Sequence, residues 1–285
     1  MQLYPIQAGH FKLDGGAMFG VVPKSLWQRT NPADSNNMID IAARCLLVED
    51  ENRLILIDTG MGNKQSDKFF GYYHLWGDHT LGKSLAAHGF HRDDITDVFM
   101  THLHFDHCGG SVQWNKDQTG YEPAFKNAHF WTNMDHWAWA TNPNKREKAS
   151  FLKENILPME DSGQLKFTGL PDGHFLNNSE LGFNIFFANG HTDKQMIPMI
   201  DYKGKTFCFM ADLLPTAGHL SIPFVMGYDT RPLLTLDEKE LFLKKAADDN
   251  LYLFLEHDAH NEIITVKHTE KGVRLNETFR CDDIF

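Results

Sequence analysis

The sequence has no Cys-x-x-Cys pair, no surplus of positive charge and no long apolar run, and each absence removes a class of protein. The four cysteines, Cys45, Cys108, Cys208 and Cys281, stand far apart, which excludes a dense disulfide framework and a thiolate zinc knuckle. Cys45 and Cys208 lie in apolar runs and read as core thiols. The formal net charge is −11, which disfavours a nucleic-acid partner, because that affinity rests on phosphate neutralisation by Lys and Arg. No run approaches the ~20 apolar residues of a membrane span, so no membrane partner is expected. The opening Met1-Gln2-Leu3-Tyr4-Pro5 lacks the basic start and apolar core of a signal peptide, and a cytoplasmic protein is the expectation. No internal repeat or low-complexity linker divides the 285 residues, so residues 1–285 are expected to form a single domain.

What the chain does have is Met100-Thr101-His102-Leu103-His104-Phe105-Asp106-His107-Cys108-Gly109-Gly110. Three histidines and an aspartate fall within six residues, directly after the apolar run Asp97-Val98-Phe99-Met100. Imidazoles and carboxylates at this density are metal ligands, and borderline Zn²⁺ accepts both. On extended backbone His102 and His104 face the same way. Asp106 and His107 then require a turn, for which Gly109 and Gly110 are expected to supply conformational freedom.

Four other apolar runs end in residues of the same kind. Leu54–Ile57 leads to Asp58, Asn184–Ala188 to His191, Thr206–Ala211 to Asp212, and Leu251–Leu255 to Glu256 and His257. Each run is short, rich in β-branched or aromatic residues and bounded by turn residues, the pattern of a buried strand. In layered α/β proteins, sites collect at the carboxyl edge of the strands. Five such endings predict one site gathered from the whole chain. Asp58 is expected to orient a ligand histidine, since metal-bound imidazoles give their other N–H to a carboxylate or carbonyl.

The His-x-His-x-Asp-His box, followed in order by His191, Asp212 and His257, resembles the metallo-β-lactamase superfamily. The resemblance spans residues 38–260 and implies an α/β fold, a four-layer αβ/βα sandwich. It also implies two divalent metal ions, zinc by default. His102, His104 and His191 would bind one, Asp106, His107 and His257 the other, and Asp212 would bridge them. The implied chemistry is hydrolysis by a metal-held hydroxide, with Asp106 also moving the proton.

The stretch Leu13–Trp27, with Ala211–His219 and Gly227-Tyr228-Asp229, resembles a branch containing quorum-quenching N-acyl-homoserine lactonases and methyl parathion hydrolases. The expected substrate is therefore a small-molecule lactone or ester, with an organophosphate triester or aryl ester as the alternative. A catalytically dead binding scaffold is the non-enzyme alternative, disfavoured because all seven ligand positions are filled. The apolar stretch holding Met18, Phe19 and Trp27 is expected to form a wall of the substrate pocket or, in the other reading, to pack on the core or in a homodimer interface. Tyr228 is the candidate for a substrate-contacting hydroxyl. Some lactonases of the superfamily carry a tyrosine soon after the bridging aspartate, where this chain reads Leu213-Leu214-Pro215.

Overall fold

The computed structural model describes every residue from Met1 to Phe285. The chain forms two compact units, Met1–His10 with Ala43–Leu170, and Phe11–Ala42 with Pro171–Phe285. The sequence shows no such division. Two of the three crossings fall inside strands, where no change of composition marks them, and the third, Leu170 to Pro171, falls in the short loop of residues 169–174, too brief to read as a domain linker.

Eight strands precede residue 170. They are β1 (Gln2–Asp14), β2 (Met38–Asp50), β3 (Arg53–Ile57), β4 (Asp97–Phe99), β5 (Val112–Trp114), β6 (Tyr121–Pro123), β7 (His129–Asn133) and β8 (Leu165–Thr168). A six-stranded sheet runs β1-β2-β3-β4-β7-β8, with β5 and β6 paired separately. The β2–β3 hairpin is antiparallel, whereas β3, β4, β7 and β8 are parallel. Strands buried on both faces read as continuous apolar runs, and Leu54–Ile57 and Val98–Met100 do so. The first unit's core joins them to Leu81 and Leu85 of the helix Leu81–Ala87 and to Ile156 and Met159 of the helix Lys153–Asp161.

The second unit contains β9 (Phe175–Leu176), β10 (Asn184–Ala188), β11 (Gln195–Tyr202), β12 (Lys205–Phe209), β13 (Tyr252–Phe254), β14 (Ile263–Thr269) and β15 (Gly272–Phe279). They form one sheet in the order β15-β14-β13-β12-β11-β10-β9, in which only β12 and β13 are parallel. The helix Pro232–Asp248 packs Phe242, Leu243 and Ala246 into this unit's core with Phe186, Leu253 and Ile264.

One local sequence pattern misleads. Thr235-Leu236-Asp237-Glu238 has the spacing of a helix-start capping box, but the helix begins at Pro232, so Thr235 lies within it. Proline is preorganised for a first helical position, and that preference sets the start. On the same helix Leu241 is 44% exposed, and Leu243 lies in the core. All four cysteines are free and buried, Cys45 and Cys108 in the first unit and Cys208 and Cys281 in the second.

Candidate metal centre

Parallel pairing brings the candidate ligands together within each unit. In the first, β3 and β4 pair in register at Ile57 and Phe99, so their carboxyl ends emerge side by side. Asp58 follows β3 and accepts from the Thr101 backbone N–H at 2.8 Å and the Thr101 hydroxyl at 2.7 Å. The His107 Nδ1–H donates to Asp58 Oδ2 at 2.9 Å. Asp58 is fully buried and stands at φ 58°, a left-handed conformation uncommon outside glycine.

Gly109 and Gly110 fill a different need from the one expected. Gly109 has φ −59°, within reach of any residue. A Cβ on Gly109 would meet the Met61 carbonyl oxygen at 2.2 Å, and one on Gly110 would meet that of Thr59 at 2.3 Å. These glycines let the turn after the histidines lie against the strand ending in Asp58. Buried Lys64 ties the same two segments by donating to the Gly109 carbonyl.

His102 and His104 present ring nitrogens, Nε2 and Nδ1, to each other at 3.0 Å. Their other nitrogens are taken. His102 Nδ1 lies 3.1 Å from the Thr101 hydroxyl, whose proton goes to Asp58, so His102 is the donor there. His104 Nε2 lies 3.4 Å from Glu147. These partners assign the tautomers, and the tautomers leave two lone pairs face to face, an arrangement that calls for a cation. His136 supports the loop by accepting the Leu103 N–H at 2.9 Å. Asp106, 9% exposed, is the most accessible of the seven candidate ligands.

The second unit repeats the logic. In-register pairing of Phe209 with Phe254 puts the ends of parallel β12 and β13 side by side. Asp212 follows β12 and His257 follows β13, and His257 Nε2 lies 3.2 Å from Asp212 Oδ1. His191 Nε2 lies 3.0 Å from Asp212 Oδ2. The outer nitrogens donate away from this carboxylate, His257 Nδ1 to the Ala42 carbonyl at 2.8 Å and His191 Nδ1 to Asp229 at 3.0 Å. Two imidazole lone pairs thus face one carboxylate. Burial alone would lower the His191 pKa, but Asp212 and Asp229 outweigh it and raise it to about 10. The surroundings favour positive charge at that nitrogen, which a proton or a divalent ion can provide. Nitrogen and oxygen donors with outer nitrogens held by carboxylates and carbonyls fit a zinc-type ion. Ala211, just before Asp212, stands at φ 42°.

All seven candidate ligands are buried, four in the first unit and three in the second. Sequence reasoning missed Glu147 and Gln195, whose side-chain oxygen accepts the Asp212 N–H at 3.1 Å. Asp229 lies in the stretch Gly227-Tyr228-Asp229, where nothing in the sequence marks its carboxylate as the partner of His191. A buried carboxylate distant in sequence has no local signal for such a role.

Of the two readings of residues 15–27, the burial of Met18, Phe19 and Trp27 matches packing on the core. Met18, Phe19 and Trp27 belong to two short helices, Gly15–Phe19 and Lys24–Trp27, and are at most 1% exposed. Phe19 stacks on Trp27 at 5.3 Å and on His219 at 4.2 Å, so these rings form a core and present no free face. Apolar residues in a long loop read alike whether buried or exposed. The exposed members are Val21 and Leu26, and Tyr228 is also partly open. In the first unit, Phe69, Tyr73 and Phe105 form an aromatic cluster beside the histidine box, with ring centroids 4.9–5.3 Å apart.

The chain belongs to the metallo-beta-lactamase superfamily, whose family model matches residues 40–257. By class it is a metal-dependent hydrolase of mixed α/β fold. A probable metal-dependent hydrolase from Staphylococcus aureus is 26% identical, with a TM-score of 0.83 and coverage of 98% of both chains. AidC, a dizinc quorum-quenching lactonase solved with its product N-hexanoyl-L-homoserine, is 24% identical, with a TM-score of 0.77 over 98% of this chain and 95% of its own. AiiA of B. thuringiensis, solved with N-decanoyl-L-homoserine at its active site, is 20% identical, with a TM-score of 0.65 over 90% of this chain and 93% of its own. No curated protein matches the sequence.

Proposed function

We propose that the protein opens the lactone ring of N-acyl-homoserine lactones, using two divalent metal ions, most naturally zinc. The carrying observation is that the ligand histidines turn one nitrogen to a fixed partner and the other towards a second candidate ligand. In this reading His102, His104 and His191 would hold one ion and Asp106, His107 and His257 the other, and Asp212 would be a ligand shared by the two. The same reading takes residues 1–285 as one functional domain. The product-bound lactonases among the structural neighbours support the substrate class.

Bound ions would supply Lewis acidity and lower the pKa of a water towards ~7. Asp58, Glu147, Asp229 and the Ala42 carbonyl hold the imidazoles in the tautomer that binds metal. Asp106, the most exposed ligand, takes the proton released on attack and returns it to the leaving alkoxide oxygen. Tyr228, an exposed residue, is the candidate to contact substrate. An aryl ester or phosphotriester is the second reading, favoured by the aromatic cluster Phe69, Tyr73 and Phe105.

The test is a panel of acyl-homoserine lactones, simple lactones, an aryl ester and a phosphotriester, given to metal-loaded and chelated protein. Chelator-sensitive opening of acyl-homoserine lactones is expected. Turnover of only the aryl ester or phosphotriester would hand the function to the second reading.

A further inference from the structure

The helix Pro232–Asp248 carries two adjacent buried charges, Glu238 and Lys239, each 1% exposed. Neither serves the other; both charges are spent on backbone groups of different loops. Glu238 accepts the Asn189 N–H at 2.8 Å and 2.9 Å to its two oxygens, and the Gly190 N–H at 2.9 Å. These are the two residues before His191. Lys239 donates to the carbonyls of His219, Ser221 and Phe224 at 3.0, 3.1 and 2.8 Å. These carbonyls lie in the segment leading to Asp229, whose carboxylate receives the His191 Nδ1–H.

The two gripped loops are also tied to each other at the start of the helix. Thr230 N–H donates to the His191 carbonyl at 3.1 Å, and Arg231 N–H to that of Gly190 at 2.8 Å. Arg231 also donates from its guanidinium to the Asn189 carbonyl at 2.6 Å. Gly190 lies so close to the first turn that a Cβ there would stand 2.3 Å from the Thr235 hydroxyl and 2.4 Å from its backbone nitrogen. A charge buried at this cost is retained only where its hydrogen bonds are complete. Both sets of bonds act on His191, one through its main chain and one through the partner of its ring.

We infer that Glu238 and Lys239 are positioning residues for His191: Glu238 sets where its backbone stands and Lys239 sets how its ring is turned. The inference rests on the metal-binding reading above, though not on the lactone substrate. The direction of the ring matters because a ligating nitrogen must aim its lone pair at the ion, and outer partners that fix a ligating histidine are worth about 10–100-fold in metal affinity.

The experiment loads wild type, Glu238→Gln, Glu238→Ala and Lys239→Met with zinc and follows metal release to a chromogenic chelator. Thermal unfolding is recorded on the same samples. Glu238→Gln keeps one carbonyl acceptor and should release zinc a few-fold faster than wild type. Glu238→Ala and Lys239→Met should release one of two ions at least ~10-fold faster. Lys239→Met should act chiefly through the ring, so combining it with Asp229→Asn should add little. Should Glu238→Ala or Lys239→Met fail to fold, Glu238→Gln and Lys239→Arg carry the comparison. Lower melting temperatures with unchanged release from every variant would overturn the inference and leave a purely structural role. A wild type that takes up no zinc would overturn both this inference and the metal reading. Zinc uptake without turnover of any lactone would overturn only the lactonase proposal.

Discussion

At the scale of single residues, the candidate site separates groups placed to bind metal from groups that aim them. Asp212 lies within 3.2 Å of ring nitrogens of both His191 and His257, whereas Asp58 reaches only His107 among the histidines named as ligands. Asp212→Ala is therefore expected to abolish the binding of at least one ion and nearly all activity. Asp58→Ala should cost about 10–100-fold in metal affinity and be partly rescued by excess metal. Metal content and activity measured together across a metal titration check this, and equal losses for the two variants would reverse the assignment. Lys64 carries a pH signature of a different kind. Burial lowers its pKa to about 8 from an ordinary 10.5. Between those values the unfolded chain binds more protons than the folded one, so stability rises with pH. Below pH 8 the ammonium is charged in both states and its full burial penalty remains. Relative to Lys64→Met, wild type should gain about 2 kcal/mol of unfolding free energy from pH 8 to pH 10. Parallel denaturant titrations of the two proteins would show no divergence if Lys64 were not buried as a cation.

At the scale of elements, the strand ends were legible and the packing around them was not. The runs ending at Asp58, Asp212 and His257 are visible because apolar residues stop where a ligand type begins, and parallel pairing of β3 with β4 and β12 with β13 then brings those ends together. Glu238 looked like a helix-start residue because capping chemistry and loop-gripping chemistry use the same carboxylate. Only the contact with Asn189, 49 positions away, tells them apart. The segment Gly15–Trp27 changes its expected behaviour for a similar reason. Phe19 and Trp27 are a buried stack, so Phe19→Ala or Trp27→Ala should lower unfolding free energy by about 3–5 kcal/mol and weaken turnover of short and long substrates alike. Urea unfolding with kinetics on a short and a long acyl lactone checks this. A change in chain-length preference at unchanged stability would restore the pocket-wall reading.

At the scale of the whole molecule, seven candidate ligands and the superfamily could be read from one sequence, because ligand chemistry is dense around His102–His107 and ordered thereafter. The division into two units could not, since two of the three passages between them lie inside β1 and β2 and the third is only the short loop between β8 and β9. The cysteines make that division measurable. Each unit encloses two thiols that are at most 1% exposed, and burial pushes the Cys108 thiol up to about 12. The reacting form of cysteine is the thiolate, so the native protein should resist an alkylating reagent at neutral pH for far longer than the unfolded chain. Alkylation then becomes a pair of clocks, with Cys45 and Cys108 timing the opening of one unit and Cys208 and Cys281 that of the other. Mass analysis of the labelled peptides would read both clocks in a single sample. Prompt native labelling at any of the four positions would contradict its burial. With all four protected, equal rates would mean that the units unfold as one cooperative body, and unequal rates would identify the half that yields first.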